Sequence, residues 1–97
     1  MISLTNTQIR HLRSLAHKLK PVVSVGHAGA SEAVTQELHA ALEHHELLKV
    51  KIHTAERATL HQIAAELAQR TDATLVQTIG RIVVLYRASQ QPRLVLP

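Results

Sequence analysis

The chain changes its hydrophobic period twice within twelve residues, and no other feature limits its fold as much. Up to Leu19 the apolar residues recur at helical spacing, as Ile9, Leu12, Leu15, Ala16 and Leu19. Pro21 ends that pattern, since it lacks an N–H and biases Lys20 away from helical backbone. Val22, Val23 and Val25 then read as a short strand. Gly26-His27-Ala28-Gly29 turns the chain, and Ser31 opens a second helical pattern with Glu32 in its first turn. Two glycines at such a turn let another molecule approach the backbone, and the following helix N-terminus favours an anion such as phosphate. On the motif alone, a tight connection without a ligand is the favoured reading.

Before this stretch, Thr5 and Gln8 have capping-box spacing, and Leu4 with Ile9 can form a hydrophobic staple. After it, Val34, Leu38, Ala41 and Leu42 form the stripe of a second helix. In Leu47–His53, Leu48, Val50 and Ile52 alternate with Lys49, Lys51 and His53, as in a half-buried strand. Leu60, Ile63, Ala64, Leu67 and Ala68 predict a third helix over Glu56–Arg70. Thr74–Ile79 and Ile82–Arg87 are β-rich, and Gly80-Arg81 between them fits a two-residue hairpin turn.

The expected fold is therefore α/β, an α+β two-layer arrangement in the order α-β-α-β-α-β-β with a four-stranded mixed sheet. Right-handed crossovers put the second and third helices on one sheet face. The first helix is expected along that layer or at its edge, leaving Lys49, Lys51 and His53 to point from a partly covered opposite face. Residues 1–97 form a single domain, with a body over 4–87 and an irregular tail over 88–97 whose Leu94–Leu96 segment could dock.

Charge is distributed unevenly along this chain. The net charge is +4, yet Met1–Ala30 holds no acidic residue while carrying Arg10, Arg13, Lys18 and Lys20. Arg10, Arg13, His17 and Lys20 share one helix face beside the apolar stripe. A one-sided positive field suits a polyanion, with nucleic acid favoured over membrane. The longest clean apolar run, Ile82–Tyr86, is far too short to span a bilayer. With no signal-peptide pattern and no cysteine, the expected location is cytoplasmic.

No Ser/His/Asp or paired-carboxylate pattern stands out, and the glycine loop lacks the Gly-Lys-Ser/Thr ending of a nucleotide-binding loop. Neither an enzyme, a cofactor nor a small-molecule substrate is expected. His39 and Glu43, with His44 and His45 following, make a conceivable metal half-site, although histidines also suit a helix C-terminus. His11, His17 and His61 read as surface residues. Two other readings stay open: a module docking an acidic protein through its basic face, and a histidine-based metal-binding protein.

Three blocks carry a resemblance. KPVVSVGHAG from Lys20, ALEHHELLKVKI over Ala41–Ile52 and IGRIVVLYR over Ile79–Arg87 together resemble the CRM domain, and more narrowly its small stand-alone bacterial members of the YhbY type. The resemblance runs from about Leu4 to Arg87. It implies an RNA-binding domain similar in fold to the C-terminal domain of bacterial translation initiation factor 3. Stand-alone members associate with precursors of the large ribosomal subunit, and relatives in plant organelles assist group II intron splicing. The implied partner is large-subunit ribosomal RNA or a pre-ribosomal particle, with no membrane.

By position, the family's RNA-contacting loop falls on Gly26, His27, Ala28 and Gly29. Its interior is often basic or polar in the family, whereas His27 and Ala28 make positive charge conditional on His27 protonating. The expected mechanism is phosphate capture by backbone N–H groups from Ala28 to Ser31, with Arg10, Arg13 and Lys20 supplying charge alongside and His17 a further RNA-binding candidate on their face. Lys49 and Lys51 could extend the basic surface, or could simply be the solvated side of a strand. Arg81 and Arg87 are weaker candidates. Tyr86, the chain's one Phe, Trp or Tyr residue, is expected in the core or at the sheet edge rather than stacked on a base.

Overall fold

In the computed structural model, which describes residues 3–97, each change of period becomes a change of element. The elements are α1 (Asn6–Ala16), β1 (Pro21–Val25), α2 (Glu32–His45), β2 (Leu47–Ile52), α3 (Arg57–Thr71), β3 (Thr74–Ile79) and β4 (Ile82–Tyr86). The sheet order is β1-β2-β4-β3. β1 and β2 run parallel, and β4 lies between β2 and β3, antiparallel to both. The second hairpin strand thus occupies the gap left by the β2-α3-β3 crossover.

Local signals account for the helix starts. Thr5 Oγ1 accepts from the Gln8 amide at 3.1 Å, and Gln8 Oε1 accepts from the Thr5 amide at 3.0 Å, which completes the capping box. Ser31 Oγ accepts from the Val34 amide at 3.2 Å and caps α2. α3 lies one residue further along than periodicity suggested, because Glu56 is its N-cap residue. Gly80 adopts φ 59° at the hairpin, a conformation that a side chain disfavours.

The sheet separates two apolar clusters. On one face Val23, Val25, Leu48, Val50, Ile52, Val83 and Leu85 pack against Leu38 and Leu42 of α2 and Leu60 and Leu67 of α3. On the other, Leu12 and Ala16 of α1 pack on Leu47, Val76, Val84 and Tyr86. The alternation expected of β2 holds, since Leu48, Val50 and Ile52 enter the first cluster while Leu47 enters the second. Tyr86 is core, 3% exposed. The first helix, however, lies across the face opposite α2 and α3, rather than along their layer or at its edge. Its stripe needs an apolar floor, and the residues of β2 and β4 that point away from α2 and α3 provide one.

The tail beyond β4 is irregular and docked. Leu94 and Leu96 pack against the α1 cluster, and Gln8 Nε2 donates to the Pro97 carbonyl at 3.1 Å. Its anchor is Glu46, which is 1% exposed. The Glu46 carboxylate accepts from the Ser89 amide at 2.8 Å, the Ser89 hydroxyl at 2.9 Å, the Leu94 amide at 2.9 Å and the Arg93 amide at 3.0 Å. Burial pushes this carboxyl up, but those donors outweigh it and hold it at about 2. Glu46 also follows α2 with φ 64°, where glycine would be easier. Its side chain explains why glycine is not used.

Candidate nucleic-acid interface

The glycine loop sits where several chain reversals meet. The His53 amide donates to the Val25 carbonyl at 2.9 Å, and the Ile52 amide to the Arg81 carbonyl at 2.8 Å. The end of β1, the end of β2 and the hairpin tip therefore share one end of the sheet. Within the loop, the Gly29 amide donates to Gly26 O at 3.0 Å and the Ser31 amide to Gly29 O at 2.8 Å. This narrows the expected phosphate capture: of the four amides from Ala28 to Ser31, those of Gly29 and Ser31 are already bonded within the loop.

The two glycines serve different ends. Gly29 has φ 63°, and a Cβ there would stand 3.7 Å from the Ile63 side chain. Its backbone conformation alone explains the residue. Gly26 has no such conformation, and a Cβ built there would meet nothing within 4 Å. Nothing inside the protein requires glycine at position 26.

The basic residues do not cluster around that loop as expected. Lys20 precedes β1 and Gly26 follows it, so the strand holds them roughly 20 Å apart at about 3.3 Å per residue. Arg10 and Arg13 are on α1 and His17 is its C-cap, and α1 packs on the sheet face opposite the helices that flank the loop. The side chain that does reach the loop is Arg70 of α3, which sequence reasoning missed. Its guanidinium donates to the Ala30 carbonyl at 3.0 Å and pairs with Glu66 at 2.9 Å.

Instead, Arg10, Arg13 and His17 gather with Lys49 around a cleft of about 450 Å³ between α1 and the sheet, also lined by Ser14, Ala16, Gln77 and Ile79. Gln77 and Lys49 both pair with Val84, which places the three in one row across the sheet. Lys49 is only 9% exposed, and its Nζ donates to the His17 carbonyl at 3.4 Å. It is therefore the floor of a cleft, neither an exposed extension of the surface nor the solvated side of a strand. Lys51, exposed, pairs with Ser24 on one side and Ile82 on the other. Through Ser24 and Lys51 the sheet face runs from the cleft towards the loop.

Other candidates are engaged elsewhere. The Arg87 guanidinium donates to the Thr71 carbonyl at 2.9 Å and the His39 carbonyl at 3.1 Å, and lies 2.9 Å from His39 Nδ1. Glu43 pairs with Arg87 at 3.5 Å and accepts from the Gln90 amide at 2.9 Å. The conceivable metal half-site is thus a hydrogen-bonded junction between α2, α3 and the tail. Among the described residues no group of three or more His, Asp or Glu side chains could hold a metal ion. Among the same residues no helix is long and apolar enough to cross a membrane.

The family of CRS1 / YhbY (CRM) domains matches residues 4–87. The chain belongs to the CRM family. An RNA-binding protein of Haemophilus influenzae is 45% identical over 97 residues, covering 100% of this chain and 98% of that one. A Pseudomonas aeruginosa protein named "Probable RNA-binding protein" is 40% identical over 91 residues, covering 94% and 88%. The solution structure of a Staphylococcus aureus protein described as a candidate RNA-binding protein superposes with a TM-score of 0.85 at 35% identity, covering 98% of this chain and 100% of that one. The CRM match stops at residue 87, so the tail clasped by Glu46 lies outside it, within the length shared with the Haemophilus influenzae protein.

Proposed function

We propose that this CRM-domain protein binds RNA by its phosphate backbone and acts in the cytoplasm as an accessory factor in large ribosomal subunit assembly. The observation that carries the RNA reading is the cleft: two arginines of α1 and His17 at its C-cap line it together with a buried lysine of β2. Among the described residues its lining includes no carboxylate. Such a concentration of cations lowers the cost of bringing a polyanion to the surface, and counterion release drives the association. The glycine loop adds a place of close backbone approach at the end of the same sheet. Phosphate contacts of this kind position RNA without reading its sequence. The ribosomal target follows from the family resemblance alone.

Salt titration tests the first part. Binding to structured large-subunit RNA should weaken steeply as salt rises, with a log–log slope reporting the number of phosphates engaged. Absence of salt-sensitive RNA binding, with tight binding to an acidic protein instead, would replace this reading with that of a protein-docking module. Crosslinking in cells followed by sequencing of the bound RNA tests the second part. Recovery of RNA unrelated to large-subunit precursors would remove the assembly role.

A further inference from the structure

We infer that the cleft between α1 and the sheet receives one unpaired nucleotide, so that the protein prefers RNA carrying a bulge or loop over continuous duplex. This rests on the RNA-binding reading and adds what the cleft itself takes.

Depth and lining both point this way. Arg10 and Arg13 are exposed at the rim, within reach of any passing backbone, while Lys49 is 9% exposed on the floor. An A-form duplex keeps its bases paired inside and its phosphates on a convex outer surface. Such a surface can touch the rim without reaching the floor. A single extruded nucleotide is slender enough to enter about 450 Å³.

The walls also suit a base as well as a phosphate. Lys49 and Gln77 occupy the two outer strands of a three-strand row, about 10 Å apart across two strand spacings. Lys49 lies at the β2 side of that row. On the other, Gln77 offers an amide donor and acceptor for a base edge, and Ile79, 49% exposed, offers an apolar surface beside it. A bare phosphate could accept from the Gln77 amide N–H but would gain nothing from its carbonyl oxygen or from Ile79. Contacts to an unstacked base edge are also how proteins discriminate single-stranded RNA from duplex.

The test compares two hairpins of equal charge density, one a continuous duplex and one with a single bulged nucleotide, in the wild-type protein and in Ser14→Leu and Gln77→Ala. Ser14 is exposed on the rim of the cleft, so leucine narrows the entrance without disturbing the core. Gln77→Ala removes the base-edge partner, and thermal melting verifies that both variants fold. The wild type should bind the bulged hairpin about tenfold more tightly, and that ratio should fall towards one in both variants. Equal affinity for the two hairpins in the wild type, or a ratio that survives Ser14→Leu, overturns the inference while leaving backbone binding intact. If neither hairpin binds in a salt-sensitive way, the RNA reading itself fails and takes this inference with it.

Discussion

The two faces of the sheet draw on the same strands but are closed to different degrees. Two helices, α2 and α3, cover one face, and the buried strand residues on it are all aliphatic. One helix and a docked tail cover the other face, and they leave its loop-proximal part open: Ser24, Lys51 and Ile79 are exposed, and Lys49 lies below the helix edge. Burial on the first face serves stability alone. On the second, incomplete cover keeps cations partly dehydrated yet within reach of a ligand. If the cleft is the RNA site proposed above, stability and recognition are separated by the thickness of one sheet, and substitutions on the two sides should affect different measurements.

The largest effect is expected from the sealed face. Leu67 is 0% exposed, and Leu67→Ala should cost about 3 kcal/mol through lost burial and the cavity left behind. Chemical denaturation measures that loss, and RNA affinity of the folded fraction should stay unchanged. A large affinity loss would show that the two faces are coupled.

The tail on the open face offers the next test. Glu46 is held at about 2, below its ordinary value of 4.5, so its native contacts favour the carboxylate. That contribution is fully present above the unfolded value and disappears as pH falls from about 4.5 to about 2, on the order of 3 kcal/mol in all. Glu46→Gln should be destabilised by about 2 kcal/mol near neutrality, because an amide cannot accept all four hydrogen bonds. Its stability should then vary much less across that acid window, and proteases should cut near Gln91 more readily. An unchanged acid profile would mean that Glu46 does not hold the tail.

Most of the fold was legible because its signals are local. The capping box of Thr5 and Gln8, the stop at Pro21, the alternation around Lys49 and the Gly80 turn each involve residues a few positions apart. The side chosen by α1 was not legible, since periodicity shows which face of a helix is apolar and not which apolar floor it meets. Glu46 was missed for a similar reason: its partners Ser89, Arg93 and Leu94 lie more than forty residues away. At the site, the shared face of Arg10, Arg13 and His17 could be read directly. A two-residue hairpin turn already implied that Gln77 opposes Val84, but placing both beside Lys49 requires the long-range pairing of β2 with β4.

Smaller effects should separate the cleft from the sealed core by charge. Arg13 is exposed, so Arg13→Gln should leave stability within about 0.5 kcal/mol of the wild type. It should lower the slope of log affinity against log salt by about one and weaken binding about fivefold at moderate salt. The same substitution at Arg70, which neutralises the cation at the loop, shows whether RNA reaches that end. A slope change at Arg13 alone would confine backbone contact to the cleft.

The smallest expected effect is the most diagnostic for the glycine loop. Gly26 lies in open space without positive φ, so alanine can be placed there without strain. Gly26→Ala should therefore leave stability unchanged or raise it by up to about 1 kcal/mol, through reduced freedom of the unfolded chain. If RNA backbone passes close to this residue, the added methyl should weaken binding by about threefold while thermal stability holds or improves. Gly29→Ala cannot serve the same purpose, because φ 63° makes it strained whatever binds outside. A stable Gly26→Ala protein with unaltered RNA affinity would reduce the loop to a turn and leave recognition to the cleft.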